Sequence, residues 1–158
     1  MAKQMKLQVN IALNGNQTPS GWNIGSAYSQ GNTDPPSSNV VDPEGNITLT
    51  NMAKTSEYDN KVEVEFIIAR NNVVDMNGNP AHVRFISDKQ GAVSITPVSS
   101  GVFGSYDENS DGSRFSLTDE DNDGSTYTYC LSVVCSQQGA RTGTIVPLDP
   151  RIVNRQEN

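Results

Sequence analysis

"KVEVEFIIA", residues 61–69, sets Val62, Val64, Phe66 and Ile68 on one side of an extended chain and Glu63 and Glu65 on the other. That period of two marks a strand with one face buried and one in water. The same rhythm runs outward in both directions. Upstream, "MAKQMKLQVNIAL" alternates Leu7, Val9, Ile11 and Leu13. Downstream come Val83 and Phe85 in "HVRFIS", Val93 and Ile95 in "AVSITPV", and Phe115 and Leu117 in "SRFSLT". "TYTYCLSVV" adds Tyr127, Tyr129, Leu131 and Val133, and "NITLT" and "TGTIVPL" are shorter candidates. Turn-forming clusters lie between them: "NGN" at 14–16, "DPEGN" at 42–46, "NGNP" at 77–80, "SDG" at 110–112 and "NDG" at 122–124. No dozen residues carry a 3.6-residue apolar period. The pattern predicts an all-β fold, an antiparallel, immunoglobulin-like β-sandwich of about eight short strands.

A chain of 158 residues fits one domain over 1–158 with a core of its own. Its formal charge of −7 argues against a nucleic-acid partner, which needs a basic face. The first residues lack the apolar run of a signal peptide, and no stretch reaches the roughly 18 apolar residues of a membrane span. Cys130 and Cys135 are five positions apart in a strand, roughly 16 Å, and on opposite faces. A disulfide needs Cα atoms within about 7 Å, so two reduced thiols and a cytoplasmic location are expected.

"DENSDGSRFSLT" (107–118) is followed directly by "DEDNDGSTYTYC" (119–130), and the two blocks align without a gap. Asp107, Asn109 and Asp111 in the first block, and Asp119, Asp121 and Asp123 in the second, have the spacing that opens a calcium loop. The twelfth positions are Thr118 and Cys130 rather than the closing bidentate glutamate, so neither block is an EF-hand. Two successive hairpin turns of a meander explain the repeat; calcium is the one cofactor it could hold.

Residues 14–46 are rich in Asn, Gly, Ser and Pro and read as a long loop. There Trp22 and Tyr28 are candidates for stacking on a glycan or small molecule, against the plainer reading that Trp22 plugs the sandwich end. His82 shares the polar face with Arg84, and there is no second histidine and no G-x-S-x-G nucleophile motif. The carboxylates fall in turns or on wet faces, without the apolar surroundings a catalytic acid needs. No catalytic residue is assigned.

In the tail, residues 147–158, Pro147 and Pro150 hold "VPLDP" extended and away from the middle of a sheet. Ile152 and Val153 supply apolar contacts beyond that break. Asp149, Pro150, Ile152, Asn154, Arg155, Glu157 and Asn158 make this tail similar to the DPxIxNRPEN ending of the bacterial DP-EP proteins, with Gln156 where that family has proline. The resemblance implies a fold and a compartment, a short, acidic, cytosolic β-sandwich protein. A docking tail formed by Asp149, Pro150, Ile152, Val153 and Asn154, together with sheet edges needing cover, predicts a non-enzymatic structural or interaction module. It would self-associate as a homo-oligomer or structural assembly, such as a virion or filament subunit, without nucleic acid or membrane. The alternative is a binding module using the 14–46 loop or the acidic hairpins.

Overall fold

The computed structural model describes residues 3–86, 93–96, 103–108, 112–119, 127–148 and 151–153. They form ten strands and one 3-10 turn, Leu49–Asn51. No α-helix occurs among the described residues. The strands are β1 (Lys3–Thr18), β2 (Gly21–Asp34), β3 (Tyr58–Val74), β4 (His82–Phe85), β5 (Val93–Thr96), β6 (Phe103–Glu108), β7 (Arg114–Asp119), β8 (Tyr127–Ser136), β9 (Thr144–Pro147) and β10 (Arg151–Val153).

One sheet has the order β2-β1-β3-β7-β6. In the other, β8 is the spine, and each edge of β8 is served by two short strands end to end. β4 pairs with its residues 133–136 and β5 with 128–131; β9 pairs with 132–135 and β10 with 127–129. The alternating residues face inward as expected: Met5, Leu7, Val9, Ile11 and Leu13 from β1, Val62, Val64 and Phe66 from β3, and Tyr129, Leu131 and Val133 from β8 are all buried. Rings join the layers. Phe66 stacks on Phe115 at 5.1 Å within its sheet and meets Tyr129 of the opposite sheet at 5.4 Å, while Phe85 stands edge-on to Phe115 at 4.7 Å. Such pairs add about 0.5–1.5 kcal/mol each beyond the area they bury.

Three expectations are corrected. The sheets are not wholly antiparallel, because β1 and β3 run parallel. The return that a parallel neighbour needs is made by β2, and residues 35–57 then carry the chain past the start of β1 to the start of β3. The described residues form ten strands rather than about eight, because each edge of the β8 sheet is made of two short strands.

Most of the expected 14–46 loop is a hairpin. Residues 14–18 finish β1 and β2 follows, with Thr18 paired to Gly21 across Pro19-Ser20. "NGN" does not reverse the chain there. Gly15 keeps the strand going at φ +138, where a Cβ would strike the carbonyl oxygen of Asn23, so only glycine allows that approach.

Irregular chain begins after Asp34 and is tied back to β2 by Gln30. Its side chain accepts the Val40 and Val41 N–H groups at 2.8 and 3.2 Å and donates to the Ser37 carbonyl at 2.8 Å. At the foot of the crossover, the Tyr58 hydroxyl donates to Asp34 Oδ1 at 2.5 Å. That hydrogen bond, then burial and the nearby negative charge, push the Tyr58 phenol up to about 12.

Candidate functional site

At one end of the sandwich three turns converge: the β1–β2 turn, residues 75–80 after β3, and residues 137–143 between β8 and β9. Gln17 bridges all three, its Oε1 accepting the Met76 N–H at 3.1 Å and the Gln137 side-chain amide at 3.0 Å. Asp75 is buried, 4 % exposed. Its Oδ1 accepts the N–H groups of Asn77 and Asn79 at 2.9 and 3.0 Å, and its Oδ2 accepts that of Gln138 at 3.2 Å. Burial alone would raise the Asp75 carboxyl, but the backbone donors of Asn79, Gln138 and Asn77 outweigh it and hold the group below its ordinary 3.8.

Two clefts open on this end. One, about 340 Å³, is lined by Pro80, Ala81, His82 and residues 136–140; the other, about 220 Å³, lies among Gln17, Trp22, Cys135, Thr142 and Thr144. Neither brings a nucleophile to a base. The Cys135 thiol is buried, which pushes it up to about 11, and a neutral thiol is a poor nucleophile. The Asp75 carboxylate already serves three backbone donors. Among the described residues, no three His, Cys, Asp or Glu side chains are grouped to hold a metal ion.

The residues singled out from sequence are not gathered in one place. Trp22 is half-buried against the core and lines the smaller cleft, and Tyr28 is buried from β2. Neither stands on a loop, so the open stacking platform is corrected to a strand whose alternate side chains face the core. His82 is exposed on β4.

Asp107 falls in β6 and Asp119 in β7, while Asn109, Asp111, Asp121 and Asp123 lie outside the described residues. The first acidic block does join a hairpin, β6 to β7. Its Gly112 has φ +72, packs against the Arg84 stem and accepts the Phe85 N–H at 2.7 Å. The second block is corrected. β7 and β8 belong to different sheets, so it carries the chain across the sandwich rather than through another hairpin. The inward faces of both strands require the crossing: Phe115 and Leu117 on one, and Tyr129 and Leu131 on the other, fill the core from opposite layers.

In the tail, Ile152 and Val153 are in β10, opposite Thr128 and Tyr127 of the chain's own β8. Asp149, Pro150 and Asn154 lie outside the described residues. Leu148 is buried and secured on both sides: its N–H donates to the Leu131 carbonyl at 2.7 Å, and its carbonyl accepts the Cys130 thiol at 2.8 Å. Cys130 and Cys135 are both free thiols.

No family model and no curated protein matches the chain. Among solved structures it is similar to the crystal structure of an inclusion body protein, PixA, from Burkholderia cenocepacia J2315. The identity is 9 % and the TM-score 0.42, over 97 % of this chain and 94 % of that one. The likeness is too distant to bear on this chain's chemistry. No helix among the described residues is long and apolar enough to cross a membrane.

Sequence reasoning missed Asp75, Gln17 and Gln138. A signal for the first was present: "DPEGN" and "DMNGN" share the pattern D-x-x-G-N, and in both the aspartate folds the turn around its own carboxylate.

Proposed function

We propose that this chain is a non-enzymatic structural or interaction module that self-associates, one subunit of a larger assembly. The observation that carries this is the use made of Asp75. The only buried carboxylate among the described residues is the group best suited by burial to acid–base or metal chemistry, and all its described partners are backbone donors of turns. Its work is to fasten one end of the sandwich. Among the described residues, β2 also ends its sheet with no further strand paired to its outer side. Sedimentation velocity across concentration tests the reading: the apparent mass should rise with protein concentration, and a monomer throughout would overturn it.

The free thiols of Cys130 and Cys135 support placing the protein in a reducing compartment such as the cytoplasm. The tail's likeness to the DP-EP proteins belongs to the same proposal. A second reading, a small-ligand site, has one observation in its favour: Trp22 lines the 220 Å³ cleft with Thr142 and Thr144. Since Trp22 is the single tryptophan of the chain, titration with a glycan set should move its fluorescence if that cleft binds, and leave it unchanged if it does not.

A further inference from the structure

Residues 151–153 of the tail pair with the chain's own β8, so that pairing is already made within the chain. The four sheet margins differ in how they are guarded. β6 carries Asp107 and Glu108, β9 ends on Pro147, β10 begins with Arg151, β4 carries His82 and Arg84, and β5 is only four residues long. Charges, prolines and shortness are the usual means by which an edge is kept from pairing. Up to its last residue, Asp34, β2 has none of them. It is 14 residues long, and residues 21–33, "GWNIGSAYSQGNT", contain no charge and no proline.

Its outer side is partly occupied. The Tyr28 N–H points away from β1 and donates to the Pro43 carbonyl at 3.2 Å. The register with β1 is unbroken from Gly21 to Gln30, so the period of two aims the backbone groups of Trp22, Ile24 and Ser26 the same way. Among the described residues, those groups meet no strand on that side. The exposed face of the run presents Asn23, Gly25, Ala27 and Ser29, which are small and neutral.

We infer that this run is the assembly edge, and that its occupant is a second copy of the chain. Two β2 strands would pair antiparallel about a two-fold axis at Ile24, joining two five-stranded sheets into one. Such an interface is isologous, so the strand must be complementary to itself. A chain of net charge −7 repels its copies over most of its surface, whereas this uncharged run meets itself without like-charge contact. The pairing would set Trp22 opposite Ser26 of the copy, and each pair would exchange two backbone hydrogen bonds.

This deepens the self-association reading and rests on it. The experiment is sedimentation equilibrium on the full-length wild type and three variants. Ser26→Pro removes one outward N–H, leaves the ladder to β1 intact and suits an edge strand; it should abolish association. Asn23→Lys and Asn23→Glu place like charges diagonally across the axis. Each alone should weaken association by roughly tenfold, and an equimolar mixture of the two should restore it to the wild-type level. That recovery cannot come from a folding defect, which keeps the test decisive even if Ser26→Pro unfolds. If the wild type associates and all three variants associate equally well, the β2 edge is overturned while self-association stands. If the wild type is monomeric at every concentration, both are overturned.

Discussion

Residues 42–46 and 75–79 build the same turn. In each, the aspartate N–H donates to the carbonyl of the closing asparagine, at 3.0 Å for Asp42 and 2.8 Å for Asp75. The glycine N–H returns to the aspartate carbonyl at 3.0 Å in both, with Gly45 at φ 89 and Gly78 at φ 79. One carboxylate oxygen collects the N–H groups two and four residues on. The second oxygen separates them. In Asp42 it accepts the side-chain amide of Asn46 from the same turn at 2.8 Å, in the open; in Asp75 it reaches Gln138, buried. The first turn is fastened to the other sheet by a different atom, the Gly45 carbonyl, which accepts the buried Tyr129 hydroxyl at 2.6 Å. Five residues specify the shape of the turn; what it holds together depends on which of its acceptors is buried.

The largest effect should come from Asp75. Asp75→Ala strands three N–H groups at a buried site and should lower the melting temperature by roughly 5 °C or more. Acid titration sharpens the point. Because the folded carboxyl lies below 3.8, the unfolded chain binds its proton first as pH falls. The stability that Asp75 contributes is therefore complete above its unfolded value and is lost as pH drops through the folded one. Urea melts below about pH 5 should show Asp75→Asn losing less stability on acidification than the wild type. Equal acid slopes would mean that the carboxylate adds nothing to fastening the three turns.

Tyr129→Phe is the matching cut for the other turn. It leaves the Gly45 carbonyl buried without its phenolic donor while keeping the ring against Phe66. The expected cost is about 1–2 kcal/mol in urea unfolding. No loss would show that the ring alone seats residues 42–46.

The contrast also shows what could be read from sequence. The inward faces of β1, β3, β4, β7 and β8 were legible because one wet and one buried face write a period of two directly into the residues. β2 has the same alternation in Trp22, Ile24 and Tyr28, but glycine, serine and asparagine fill the gaps. Its strand state comes from pairing with β1 rather than from its own propensity. The parallel β1–β3 pairing and the passage of the second acidic block between sheets are long-range choices that no local pattern encodes. Asp75 was hidden for the same reason: its turn is written in five residues, but its burial depends on Gln138, 63 positions away.

Asp42→Ala should have the smallest effect, and it tests the comparison most directly. The substitution deletes the same kind of acceptor from the same kind of turn as Asp75→Ala. Here Asp42 and Asn46 lie near the surface, so water can take over the N–H groups of Glu44 and Asn46. The Gly45 carbonyl can keep the Tyr129 hydroxyl, because that bond uses none of the carboxylate's atoms. The melting temperature should fall by less than about 2 °C, the usual range for an exposed change. If the fall instead equals that of Asp75→Ala, the aspartate is needed to close the turn wherever it stands, and burial of the second oxygen is not what distinguishes the two.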